Sequence, residues 1–193
     1  MTTIHALVEG HLDGRLLKVL WSQIGRGEDP LRLRDAGGGS NFWALANRYN
    51  QASRHQDMIG LGDLEQTPCA PALLATLKGG RSNGFKLRLA VRMLESWVIA
   101  DRKAFASFMG VPLARIPVSP DDEAHPKRLI TALARLSTKR RVREALVPDH
   151  PGDLVGPEYT TSMAGFIEST WQVARARTCS PSLDRACVRW CEG

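Results

Sequence analysis

Residues 4–14 read IHALVEGHLDG, and this stretch decides the fold class. Ile4 to Val8 is a short apolar run with a β-branched residue at each end, closed by Glu9-Gly10, which is the pattern of a buried strand. At Leu12 the period changes. Leu12, Leu16, Val19 and Leu20 recur at helical spacing as far as Ile24, and Gly25 and Gly27 end the run. A fully apolar strand that runs straight into an amphipathic helix is the first half of a parallel β-α-β unit.

The same alternation continues downstream. Leu31 to Arg34 predicts a second, weaker strand. It runs into Gly37-Gly38-Gly39, where glycine supplies backbone freedom at a strand-to-helix turn. Ser40 or Asn41 then caps a helix carrying Phe42, Leu45, Ala46 and Tyr49. Asp57 to Leu61 predicts a third strand ending in the acidic turn Gly62-Asp63-Leu64-Glu65, and Pro71 to Leu77 a short helix. Phe85 to Val91 predicts a fourth strand, either an edge or one facing a cleft, followed by a helix from Leu94 to Met109. The expected core is a mostly parallel four-stranded α/β sheet over residues 1–110. Residues 111–193 form a helical C-terminal extension, with helices at Pro126 to Leu136, Arg140 to Leu146, Thr161 to Arg177 and Ser182 to Trp190.

Functional side chains of a parallel sheet gather where its strands end. Glu9 follows the first strand, Asp63 and Glu65 the third, and Glu95 the fourth, while Asp13 lies one helical turn beyond Glu9. Spaced i and i+2, Asp63 and Glu65 are expected to point the same way. If the first and third strands are neighbours, these carboxylates converge, and their mutual repulsion calls for bound cations. Single carboxylates suit Mg²⁺ or Mn²⁺, and such sites carry out phosphoryl-transfer chemistry. Each acid also has a plainer reading: Glu9 as a helix cap, Asp63 as a turn residue, Glu95 as a first-turn acid.

Composition narrows the classes. The chain has 193 residues, 43% apolar and 24% charged, which is the balance of a globular protein rather than a disordered one. No apolar run reaches membrane-spanning length, and the N-terminus lacks a basic n-region, so the expected location is the cytoplasm. Lys and Arg number 26 against 20 Asp and Glu, a net +6 that favours polyanionic partners. The excess looks evenly shared, with 12 basic and 9 acidic residues up to Ala100 and 14 and 11 after it. P-loop and HExxH motifs are absent, Cys69, Cys179, Cys187 and Cys191 form no CxxC pair, and the five histidines form no metal-spaced pair.

LVEGHLDGRLL, with Glu9-Gly10 and Asp13, resembles the first motif of TOPRIM domains, and GLGDLEQ resembles their acidic motif after the third strand. The chain is similar to small stand-alone bacterial TOPRIM-like proteins of unassigned function, cousins of the OLD nucleases. GGGSNFW, Cys69, RLAVRMLESWVIAD, HPKRLI and SPSLDRA carry that closer match. The resemblance implies a Rossmann-like TOPRIM fold and a Mg²⁺- or Mn²⁺-dependent nuclease, with DNA a likelier substrate than RNA. It also implies an AAA- or ABC-type ATPase partner and a role in phage defence. Glu9, Asp63, Glu65 and Glu95 would be catalytic, with Asp13 joining them as metal ligands and Lys127 as charge stabiliser. Glu65 stands where the family has a second aspartate, one methylene shorter.

Cations expected to meet nucleic acid are Lys86, Arg88 and Arg92 near the fourth strand, Lys127, and the cluster Lys139, Arg140, Arg141 and Arg143. Trp21, Trp43, Trp97 and Trp171 read as core. Two other functions compete with the nuclease. One is a catalytically inactive TOPRIM-like subunit docking on an ATPase. The other is a DNA-binding accessory protein led by Lys139 to Arg143.

Overall fold

The computed structural model describes residues 3–191. β1 (Ile4–Val8), β2 (Leu31–Asp35), β3 (Met58–Asp63) and β4 (Phe85–Ala90) form one wholly parallel sheet in the order β2-β1-β3-β4. α1 (His11–Trp21), α2 (Gly39–Ala52) and α3 (Ala70–Leu74) make the connections. From β1 the chain moves out to β2, then returns past β1 to β3. The crevice between the carboxyl ends of β1 and β3 is therefore a topological switch point, where open α/β sheets bind ligands.

Alternation along β1 divides the core. Ile4, Ala6 and Val8 pack with Ile59 and Leu61 against α1 and the later helices, whereas Leu7 joins Phe85, Leu87 and α2's Phe42 on the opposite face. β3 runs two residues further than expected, so Asp63 is its last residue rather than part of a turn. Gly60 and Gly62 are strand residues whose missing side chains admit their neighbours. A Cβ on Gly62 would lie 2.6 Å from the Phe42 ring. α2 begins one residue before the expected Ser40 or Asn41 cap. Gly38 takes the cap position at φ 121° and Gly37 sits at φ 72°, backbone that only glycine adopts readily.

Two expected helices are each divided. The run from Leu94 to Met109 is α4 (Leu94–Ala100) and α5 (Arg102–Met109), broken at Asp101. The buried Asp101 carboxylate accepts hydrogen bonds from Arg175 Nε at 2.8 Å and Nη2 at 2.6 Å, and from the Gln172 backbone N–H at 2.9 Å. Past α6 (Pro126–Arg135) and α7 (Arg140–Leu146), the run from Thr161 to Arg177 is α8 (Tyr159–Ser169) and α9 (Val173–Ala176). The break between them turns Trp171 into the core, where its indole N–H donates to the Trp97 carbonyl. α10 (Pro181–Cys191) closes the chain.

The C-terminal helices share one apolar core with the sheet face of β1. Trp97 donates to Ser182 Oγ at 2.7 Å and Trp190 to the Lys86 carbonyl at 2.8 Å, so α10 lies along the edge strand β4. Trp21, Trp97 and Trp171 are core residues, and Trp43 is half-buried. Among the described residues, no helix is long and apolar enough to cross a membrane.

Candidate functional site

β1 and β3 pair directly, with Val8 beside Leu61, and this register brings Glu9 alongside the end of β3. Glu9 Oε2 accepts the Asp63 backbone N–H at 3.4 Å. Asp63 Oδ1 in turn accepts the Leu94 N–H at 2.9 Å, fixing the start of α4 and placing Glu95 in its first turn. Asp13, in the first turn of α1, accepts the Gly10 N–H at 3.1 Å. From the C-terminal helices, the Tyr159 hydroxyl donates to Glu95 Oε1 at 3.1 Å, and Lys127 Nζ lies 3.7 Å from the same oxygen. Glu9, Asp13, Asp63, Glu95, Lys127 and Tyr159 together line a cavity of about 370 Å³ at the switch point.

The electrostatics follow from crowding and burial. Burial pushes Asp13 up to about 7, with the Glu9 and Glu95 charges adding to the shift. Burial also drives Asp63 well above the ordinary carboxylate range, helped by Asp13, Glu95 and Glu9. Glu9 is raised by its own desolvation, with the bond from the Asp63 backbone working against it. Burial and the adjoining Glu95 push the Tyr159 hydroxyl well up. Lys127 favours the ionised form of all three shifted carboxylates.

Two buried carboxylate oxygens, Asp13 Oδ1 and Glu95 Oε2, have no hydrogen-bond partner among the described residues. They are the atoms best placed to receive a cation or a donor from a ligand. Among the described residues, no group of three or more His, Cys, Asp or Glu side chains converges closely enough to hold one ion in common.

The other expected site residues lie elsewhere. Glu65 does not point with Asp63. It is exposed, takes a left-handed φ of 50° and stays outside the cavity lining, although its charge still raises Glu9. The turn after β3 rotates the chain before the second acid. Arg92 Nη1 donates to the Thr67 carbonyl at 2.8 Å and steadies that turn. Lys86 is buried beneath α10, 4.0 Å from Asp57, and Arg88 is half-buried on the same strand. Neither lines the cavity. Lys139, Arg140, Arg141 and Arg143 are exposed at α7, outside the cavity.

Tyr159 is the site residue that sequence reasoning missed. Its only local signal is a polar aromatic opening a helix after Pro157-Glu158, and nothing nearby points to Glu95, 64 positions earlier. No protein-family model, curated protein or solved structure matches this chain.

Proposed function

We propose that the protein is a Mg²⁺- or Mn²⁺-dependent TOPRIM-like phosphodiesterase acting on nucleic acid, with DNA favoured over RNA. One observation carries the reading: four carboxylates from β1, α1, β3 and α4 share a cavity at the switch point with a single lysine. Like charges held this close in a desolvated site are costly unless protons or cations accompany them. The donors are hard oxygens, which Mg²⁺ and Mn²⁺ prefer. Asp13 and Glu95 would hold the ion through their unpartnered oxygens. Mg²⁺ commonly takes one or two carboxylates and completes its shell with water and substrate phosphate, so a three-ligand cage is not required.

A divalent ion held there would supply activation of water and neutralisation of charge on the phosphodiester oxygens. The chain's own residues do the rest. Glu9, raised by burial, is a stronger proton acceptor than an ordinary carboxylate. Tyr159 holds Glu95 in place, and Lys127 sets a positive charge at the cavity wall. An ATPase partner and a defence role belong to this proposal through the sequence resemblance.

A second reading, a TOPRIM-like subunit that docks on an ATPase without turnover, is favoured by the lack of a three-ligand group among the described residues. One experiment separates them. Melting temperature is measured in EDTA, Mg²⁺ and Mn²⁺ for the wild type and for Glu9→Gln with Asp63→Asn, alongside plasmid cleavage in Mn²⁺. Metal-dependent stabilisation and cleavage, both lost in the variant, support the enzyme. No melting shift at saturating metal, with intact plasmid, overturns it in favour of docking.

A further inference from the structure

Residues 126–147, which hold α6 and α7, contain seven lysines and arginines against one acid, Glu144. That stretch has a formal charge of +6, equal to the net +6 of the whole chain, so the remainder sums to zero. The even split between the two halves conceals a single basic hairpin.

Its geometry is directional. The first turn of α6 puts Lys127 in the wall of the acidic cavity. Arg128 and Arg135, seven residues apart, lie on one face of α6, and both are exposed. Beyond them, Arg135 and Arg143 share one open groove of about 430 Å³ with Glu144 and Asp149 at the α6–α7 junction, so the unbalanced charge lies on the exposed helix faces. Some of these cations are already engaged: Arg140 pairs with Glu144, and Lys139 donates to the Ser107 carbonyl. Arg128, Arg135 and Arg141 are exposed, with no ion pair or hydrogen bond among the described residues. From Lys127 to Arg135 the helix rises about 12 Å, so positive charge extends that far along α6 from the cavity.

We propose that the α6–α7 hairpin is the docking track for a phosphodiester backbone, which it leads into the acidic cavity at Lys127. This rests on the phosphodiesterase reading for what enters the cavity. The charge pattern itself favours nucleic acid. Five of the seven cations are arginines, whose planar guanidinium forks match phosphate oxygens better than an ammonium does. Each strand of a duplex carries one phosphate for about every 3.4 Å of its axis, so a helix the length of α6 can meet more than one. Contacts of this kind are blind to sequence and sensitive to salt.

The test is fluorescence anisotropy in EDTA with short labelled DNA and RNA duplexes of equal length, and with poly-glutamate as competitor. Three proteins are compared: the full-length wild type, R128S/R135S/R141S, and a control, R32S/R34S/R48S, that removes the same charge from the β2–α2 side. All are first checked for unchanged melting temperature. The hairpin variant is expected to lose at least about tenfold in affinity, and the slope of log K against log salt to fall by about 2.7, between about 50 and 200 mM salt. The control is expected to stay near wild type. Equal losses in both variants, undiminished binding by the hairpin variant, poly-glutamate competing as well as duplex, or no wild-type binding at low salt would each overturn the track. Tighter binding of DNA or of RNA identifies the source of the backbone. Hairpin-dependent binding without cleavage defeats the nuclease reading and leaves the track standing. Cleavage with hairpin-independent binding does the reverse.

Discussion

The Tyr159 hydroxyl donates to Glu95 Oε1 at 3.1 Å, so a helix from the C-terminal third holds a carboxylate of the sheet's acidic cavity. Both residues are buried, and the second Glu95 oxygen has no hydrogen-bond partner among the described residues. The C-terminal helices therefore complete the cavity as well as the core. Removing the hydroxyl while keeping the ring isolates that role. Tyr159→Phe is expected to lower unfolding free energy by about 1–3 kcal/mol, because it takes a donor from a buried carboxylate. Urea unfolding in EDTA measures it, and a midpoint equal to wild type would mean that Lys127 or water replaces the bond.

Stability should fall with rising pH when no metal is present. Asp13, Asp63 and Glu9 hold protons more tightly in the folded chain than ordinary carboxylates do. Their contribution is complete below the unfolded value, 3.8 for Asp13, and is lost as pH rises through the folded value of about 7. In EDTA the protein is thus expected to melt higher at about pH 5 than at about pH 8, with Asp13→Asn flattening the difference. Mn²⁺ competes with those protons, so its stabilisation should be larger at the higher pH. Melting curves at both values decide this, and a steady rise in stability with pH in EDTA would contradict the crowding of these carboxylates.

The parts of this site that were legible in the sequence are those set by local period. β1 matches its expected span, and β4 ends one residue short of it. Glu9, Asp63 and Glu95 could be placed at the sheet's carboxyl edge because apolar runs end there. What could not be read depends on distant partners. Gly62 looks like a turn residue in the sequence, yet it continues β3 because Phe42 packs against that face. Helical periodicity runs straight through Asp101, where Arg175 and Gln172 hold the chain in a break. Glu65 was spaced to join Asp63, but the turn geometry carries it outward.

That break at Asp101 makes its own prediction. The carboxylate is 1% exposed and serves as the common acceptor for Arg175 and the Gln172 backbone, joining α4 to the α9 region. Asp101→Ala leaves those donors unmatched and is expected to cost about 3 kcal/mol, the low end for a broken buried pair, since Arg175 retains water contact. A double-mutant cycle with Arg175→Ala, read by urea unfolding, tests whether the loss belongs to the pair. Additive losses would assign it to the backbone bond instead.

Lys127 is the one lysine or arginine among the described residues that lines the cavity, and it favours ionisation of Glu9, Asp13 and Asp63 together. Lys127→Gln removes that charge at similar length, so the carboxylates should release their protons at still higher pH. The loss of stability in EDTA is then expected to move to higher pH than in wild type, while Lys127→Arg leaves it in place. Removing the lysine should also weaken any anionic substrate at the cavity, so a nuclease would lose activity in Lys127→Gln even at saturating Mn²⁺. Stability profiles across pH for the three proteins test the charge effect without relying on turnover. An unmoved profile in Lys127→Gln would mean that water at the 34% exposed lysine side chain already screens its charge from the carboxylates.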